Sequence, residues 1–243
     1  MARATASTTP TLRRERALMR ERGVSLLACV DEVGRGALSG PVTLGVVVIS
    51  LDTPSAPTGV RDSKLLTPAR RAHLAPRIKR WALDHAVGHA SAAEIDEFGI
   101  MAALRMAGTR ALGQLVVRPE LVLLDGNHDY LSPPVQEGLF GEPERSGALP
   151  PVVTMIKGDM RCSGVASASV LAKLSRDAIM LAMSADFPDY GWEENKGYSA
   201  HAHIEALRRL GPCKEHRRSW RLPTGELVGA AVGGTHTQSP VAG

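Results

Sequence analysis

Aromatic residues are scarce in this chain of 243 residues, at 4%, although hydrophobic residues reach 44%. A core can form, but from Ala, Val, Leu and Ile rather than from rings. Only three cysteines occur, Cys29, Cys162 and Cys213, and no pair has the spacing of zinc ligands. An odd, scattered set also argues against a disulfide framework and fits a reducing, cytoplasmic setting. No apolar run is long enough to span a bilayer, so no membrane partner is expected. The N-terminus is basic but lacks the apolar core of a signal peptide. No internal repeat is found. Charge of one sign is barely in excess, at net +4, which permits a polyanionic partner without requiring one.

What is present is an alternation of strand and helix patterns. Leu26–Val30 reads as a buried strand, and "VTLGVVVIS" from Val42 is a β-branched run typical of another. Thr67 followed by Pro68 reads as an N-cap and first turn, opening a helix toward Leu83. His85–Ala90 alternates as a third strand. Ala92–Leu115 reads as two helical segments broken near Gly99. Leu121–Leu124 and Val152–Ile156 read as two further strands, separated by a Gly/Pro/Glu-rich loop from Pro133 to Pro150. Ser163 to Ala185 reads as a long helix, and Ser199–Leu210 as another. At the N-terminus, "TLRRERALMRERG" reads as a short helix stopped by Gly23. Such an order implies an α/β sheet with helices packed on it.

Ligand sites in such sheets favour strand ends. Two acidic signals fall there, Asp31-Glu32 after the first strand and Asp125 after the fourth. An acid at a strand end is ordinarily a turn former or a cap. Two charges directly after a buried run are less ordinary. On the long helix, Ser169, Lys173 and Asp177 recur every four residues and share one face. If that face looks toward the strand ends, Asp177 joins the acids. Two unit charges about 4 Å apart repel by about 4 kcal/mol at an effective dielectric of 20. Clustered carboxylates therefore need protons or cations, and all-oxygen ligands suit Mg²⁺ or Mn²⁺. Two such ions are suited to phosphoryl displacement.

Beside the first acids stands Gly34-Arg35-Gly36. It is not a dinucleotide fingerprint, because the third glycine is due at position 39, where Ser39 stands. It lacks the Gly-Lys-Ser/Thr ending of a phosphate-binding Walker loop. Two glycines do let main chain approach a ligand closely, and Arg35 offers a cation for phosphate.

These residues together carry a resemblance. "DEVGRGALSGPV" resembles the DExGRGxLxGPV signature of the type 2 ribonucleases H, the bacterial ribonuclease HII family. "RDSKLL", "LLDG", "KGDMRCSGVASASVLAKLSRD" and "YGWEENKGYSAHAHIEALRRLGPCKEHRRSW" resemble its later motifs in the same order, over roughly residues 26 to 221. The resemblance implies a ribonuclease H-like fold, a mixed central sheet flanked by helices with a C-terminal helical segment. It implies a catalytic domain over 23–222. Composition adds the ends: the basic segment 1–22 reads as partly disordered, from its Ala/Thr/Ser-rich first ten residues, and the Gly/Ala/Thr-rich tail, 223–243, as flexible. The resemblance implies that Asp31, Glu32, Asp125 and Asp177 are the four catalytic, metal-binding carboxylates, holding two Mg²⁺ or Mn²⁺ ions. Gly34, Arg35 and Gly36 would contact the 2′-hydroxyl and neighbouring phosphate of a ribonucleotide, and Tyr198 would stack on the next sugar. Lys64, Ser167, Ser169 and Lys173 would lie at or near the substrate backbone. The implied substrates are RNA–DNA hybrids and duplex DNA carrying single ribonucleotides, cut on the 5′ side to leave 3′-hydroxyl and 5′-phosphate ends. A monomer is expected, and a sliding clamp is left open as a partner that no segment identifies.

Val33, Arg61 and Ala200 depart from the residues common in that family, and Ala200 bears on how the next helix is capped. His201 and His203 do not share a helix face and make no zinc pair; His203 matches a family histidine in a structural role. Lys214, Arg217, Arg218 and Arg221 form a basic cluster that beside a nuclease site would track phosphates. A nucleic-acid-binding module without activity and a nucleotide-binding oxidoreductase are the competing readings. Intact acids disfavour the first and the failed fingerprint disfavours the second.

Overall fold

A computed structural model describes residues 9–133 and 149–224. Five strands form one mixed sheet in the order β3-β2-β1-β4-β5. β1 (Leu26–Val33), β2 (Val42–Ser50) and β3 (Asp84–Ala90) are antiparallel neighbours; β4 (Leu121–Asp125) and β5 (Val152–Met155) extend β1 in parallel. Helices cover both faces, the α/β arrangement expected of the ribonuclease H-like fold.

Side chains alternate across a strand, so each strand feeds two cores. Leu27 and Cys29 of β1 and Leu121 and Leu123 of β4 face one side. There they meet α1 (Arg13–Arg22), α2 (Pro68–Trp81) and α5 (Ser163–Asp186), through Met19, Ile78 and the Val165–Leu171 stretch. Ala28, Val30, Val122 and Leu124 face the other side and pack on α3 (Ala92–Gly113) through Leu104, Ala107 and Ala111. α5 comes very close to β2, since a Cβ on Gly45 would stand 2.3 Å from the carbonyl oxygen of Ala168. That approach brings the long helix over the strand carrying the first acids.

Local signals act as read. Thr67 caps α2 by accepting the amide of Arg70, and Pro68 sits in the first turn. α3 is interrupted at Gly99, whose φ of 78° and ψ of 161° are not helical. The expected boundary at residue 23 does not set α1 apart from the domain. Leu18 and Met19 are buried in the sheet's core, and the Glu15 carboxylate accepts the amide of Gly164 in the first turn of α5. The tail beyond residue 224, most of the loop between β4 and β5, and the first eight residues lie outside the described residues.

After β5 come a one-turn helix, α4 (Gly158–Arg161), then α5, a second one-turn helix, α6 (Trp192–Asn195), and α7 (His201–Leu210). α7 begins at Ala200, which provides no side-chain cap. This C-terminal segment has its own small core of Met180, Tyr190, Trp192, Ala206 and Leu207. Behind it, buried His203 and His216 are joined through their Nε2 atoms at 3.1 Å, and His203 Nδ1 bonds the Tyr198 carbonyl at 2.8 Å.

Candidate active site

The acids do not follow β1; they are part of it. Asp31 pairs with Gly45 and Glu32 with Leu44, so the strand runs on to Val33. Alternation then separates the two carboxylates. Asp31 shares the face of Leu27 and Cys29, whereas Glu32 shares the opposite face of Ala28 and Val30. Asp125 ends β4, the parallel neighbour of β1, on the same face as Asp31.

Asp159 is the third acid of the cluster. It lies in α4, which starts at Lys157 in a left-handed conformation just beyond β5. One carboxylate oxygen from each of Asp31, Asp125 and Asp159 lies within 4.8 Å of the others. Main-chain amides orient two of them: Glu32 N–H donates to Asp31 Oδ1 at 2.8 Å, and Gly158 N–H to Asp125 Oδ1 at 2.7 Å. Glu32 borders the group and is held from its own face by the Tyr130 hydroxyl at 3.1 Å.

Crowding and burial leave these groups short of positive charge. Burial, then Glu32 and Asp125, push the Asp31 carboxyl well above its usual range. Asp159 is pushed up to about 6 by burial, Asp125 and Asp62, against a smaller opposing effect of Lys64. Glu32 is raised mainly by burial. Burial pulls the Lys64 ammonium down, but Asp62, Asp31, Asp159 and Glu32 outweigh it and hold it above the usual lysine value. Among the described residues, no lysine or arginine forms an ion pair with Asp31, Asp125 or Asp159. Three converging oxygen donors, two of them on buried residues and none in an ion pair, fit a hard divalent ion.

Asp177 is not brought to this cluster, contrary to the expectation from the resemblance. Ser169 is the residue of α5 that lies against Asp31. Asp177 is eight residues further on, which is about 12 Å along a helix axis. Its carboxylate is instead taken by Lys173 at 2.7 Å and Arg71 at 3.4 Å. Arg71 also donates to the carbonyls of Ser63 and Leu66, so Asp177 anchors the turn that carries Lys64. The serines are corrected as well. Ser167 is fully buried and donates to the Ser163 carbonyl. Ser169 is buried and donates to Ser63 Oγ at 2.8 Å, which leaves no surface for substrate.

The glycine loop lies at the end of β1. Gly34 N–H donates to the Tyr198 hydroxyl at 3.2 Å, and Lys173 and Arg176 stand 5.8 and 5.3 Å from the Tyr198 ring centre. Arg35 and Gly36 are exposed. The two glycines serve different needs. Gly34 has φ +87°, and a Cβ there would lie 2.1 Å from Arg176 Nε; around Gly36 a Cβ would meet nothing within 4 Å. No feature of the folded chain requires glycine at position 36, so the open space is available to a ligand.

Residues 28–222 match the family described as Ribonuclease HII. The chain belongs to the ribonuclease HII family. It is 47% identical over 211 residues to the ribonuclease HII of Streptomyces coelicolor, covering 87% of this chain and 83% of that one. Against the Nitrosococcus oceani ribonuclease HII it is 44% identical over 195 residues, covering 80% and 88%. Among solved structures it is similar to the ribonuclease H2 of Pyrococcus horikoshii, with TM-score 0.60, 25% identity and coverage of 82% and 95%. It is similar too to the ribonuclease HII of Archaeoglobus fulgidus, solved as a complex with PCNA, with TM-score 0.59, 25% identity and coverage of 83% and 98%. Ribonuclease HII enzymes are metal-dependent endonucleases that hydrolyse RNA in RNA–DNA hybrids. The oxidoreductase reading is thereby excluded. No described helix is long and apolar enough to cross a membrane.

Sequence reasoning missed Asp159, Tyr130, Arg71 and Arg176 as parts of the site. For Asp159 the chain carries a signal: it follows the strand read at Val152–Ile156, the position expected of Asp31 and Asp125. Arg217 was read as a phosphate-tracking surface residue. It is fully buried, and its guanidinium faces the glycine loop from within.

Proposed function

We propose that this chain cuts duplex DNA on the 5′ side of a single embedded ribonucleotide, as well as the RNA strand of hybrids, using Asp31, Glu32, Asp125 and Asp159 as its metal-binding acids. One observation carries the reading: three carboxylate oxygens within 4.8 Å of one another, from β1, β4 and the one-turn helix α4, near a loop whose second glycine faces open space. When bound, two Mg²⁺ or Mn²⁺ ions supply Lewis-acid stabilisation to the attacking and departing oxygens of an in-line displacement.

The chain's own residues do the rest. Asp31, Asp125 and Asp159, with Glu32 beside them, would hold the cations. Tyr130 and the amides of Glu32 and Gly158 keep the carboxylates aimed. The main chain of Gly34, Arg35 and Gly36 reads the 2′-hydroxyl, the atom that tells RNA from DNA at a given sugar. Tyr198 stacks on the neighbouring sugar, and its hydrogen bond to Gly34 ties that platform to the loop. Lys64 and Lys173 approach the phosphates. The products carry 3′-hydroxyl and 5′-phosphate ends. The enzyme acts as a cytoplasmic monomer in ribonucleotide removal and primer processing.

The test is a DNA duplex with one ribonucleotide, incubated with Mg²⁺, Mn²⁺ or EDTA, beside Asp31→Asn. A nick 5′ of the ribonucleotide that EDTA and the substitution abolish is expected. An intact duplex with the wild-type protein under all metal conditions would refute the reading.

A further inference from the structure

Gly34 to Pro41 forms no helix or strand of its own, and Ser39 makes a single bridge to His216. Two fully buried guanidinium groups hold this loop from beneath. Arg176 donates to the carbonyls of Pro41 at 2.8 Å, Ser39 at 3.1 Å and Lys196 at 2.9 Å. Arg217 donates to the carbonyls of Gly34 at 2.6 Å, Arg35 at 2.8 Å and Gly40 at 3.2 Å. Among the described residues neither forms an ion pair with a carboxylate. Beyond these carbonyls, Arg217 lies 4.8 Å from the Trp220 ring centre and Arg176 5.3 Å from that of Tyr198. A buried cation without a carboxylate partner is costly to desolvate, and a fold that needs only packing has cheaper means.

The geometry shows what the second arginine accomplishes. A trans peptide points its C=O and its N–H in opposite directions. The Gly34 carbonyl turned inward to Arg217 turns the Arg35 N–H outward. The Arg35 carbonyl turned inward does the same for the Gly36 N–H. Neither amide has a hydrogen-bond partner among the described residues. Both therefore point away from Arg217 as free donors on the two exposed residues of the loop, where a Cβ on Gly36 would meet nothing within 4 Å. Arg176 seats the loop by packing directly on Gly34, and carries the Tyr198 ring on its outer side.

We infer that Arg217, backed by Arg176, is a positioning residue for ribose selection: it fixes the two peptide planes that present the Arg35 and Gly36 amides to the substrate. The inference rests on the nuclease reading given under Proposed function. Neither arginine touches substrate in this scheme; both act through the loop.

The test measures kcat and KM on the single-ribonucleotide duplex for the wild type, Arg217→Lys, Arg217→Ala, Gly36→Ala and the double variant Arg217→Lys/Gly36→Ala. Circular dichroism and melting are recorded for each. Lysine retains the charge but can hold only part of the carbonyl set. The expected result is a folded Arg217→Lys with KM little changed and kcat down about a hundredfold. Free guanidinium should restore part of the Arg217→Ala activity. Gly36→Ala should cost much less in the Arg217→Lys background than alone, because both act on the same amides. Full activity in Arg217→Lys would overturn the inference. So would additive losses in the double variant, or losses that only follow melting temperature, and so would failure of both arginine variants to fold. A wild type that leaves the duplex intact sinks the nuclease reading itself, a result distinct from all of these.

Discussion

Replacing Asp159 by Asn separates the two candidates for the cluster's last acid. Two unit charges 4.8 Å apart repel by about 3.5 kcal/mol at an effective dielectric of 20. Asp159 faces two such neighbours, and in the absence of cations a proton relieves part of that repulsion. The upward displacement of its carboxyl from 3.8 to about 6 caps the cost of ionising it at about 3 kcal/mol near pH 8. Asp159→Asn removes that cost, so in EDTA the variant should melt above the wild type by about 5–10 °C. It should also lose the stabilisation that Mn²⁺ or Mg²⁺ gives the wild type, and lose cleavage. Asp177→Asn should do the reverse. It strips the carboxylate from Lys173 and Arg71, lowers melting, and leaves the ion-dependent rise in place. Differential scanning fluorimetry with and without the ion reads both effects. If Asp159→Asn kept its ion-dependent rise while Asp177→Asn lost it, the assignment of the cluster would be wrong.

The glycines yield a second contrast. Gly36→Ala should fold with unchanged melting and lose cleavage at a ribonucleotide, whereas Gly34→Ala should be destabilised by about 1–3 kcal/mol or more from its φ and the clash with Arg176; equal melting for the two would contradict the geometry. Glu15 provides a third. Burial raises its carboxyl to about 7 from 4.5, so the folded state binds the proton more tightly than the unfolded state. Stability from this group is greatest below about pH 4.5 and declines as pH rises toward 7. Glu15→Gln keeps an acceptor for the Gly164 amide and removes the penalty. Its stabilisation in urea titrations should be about 2 kcal/mol larger near pH 8.5 than near pH 5.5, and a gain independent of pH would show that the carboxyl titrates normally.

Much of the architecture was legible because it depends on local pattern. The β-branched run of β2, the Thr67-Pro68 start of α2 and the break at Gly99 are each decided by a few adjacent residues. The site was legible only in part. Asp31 and Asp125 could be paired because parallel neighbours place their ends together. The periodic face of α5 makes Asp177 conspicuous, whereas α4 is a single turn with no periodicity to reveal Asp159. Arg217 stands in a run of basic residues that looks like surface, and local composition does not say which of them faces inward.

The linear chain alone determined the family, the order of strands and helices, and the chemical character of the site, because motif identity and hydrophobic period are properties of short segments. Only tertiary structure decided which acids meet, since that depends on strand order, on the face each side chain takes and on the distance along α5. It also decided that two arginines lie under the glycine loop rather than on the surface, because burial is a property of packing between residues more than a hundred positions apart.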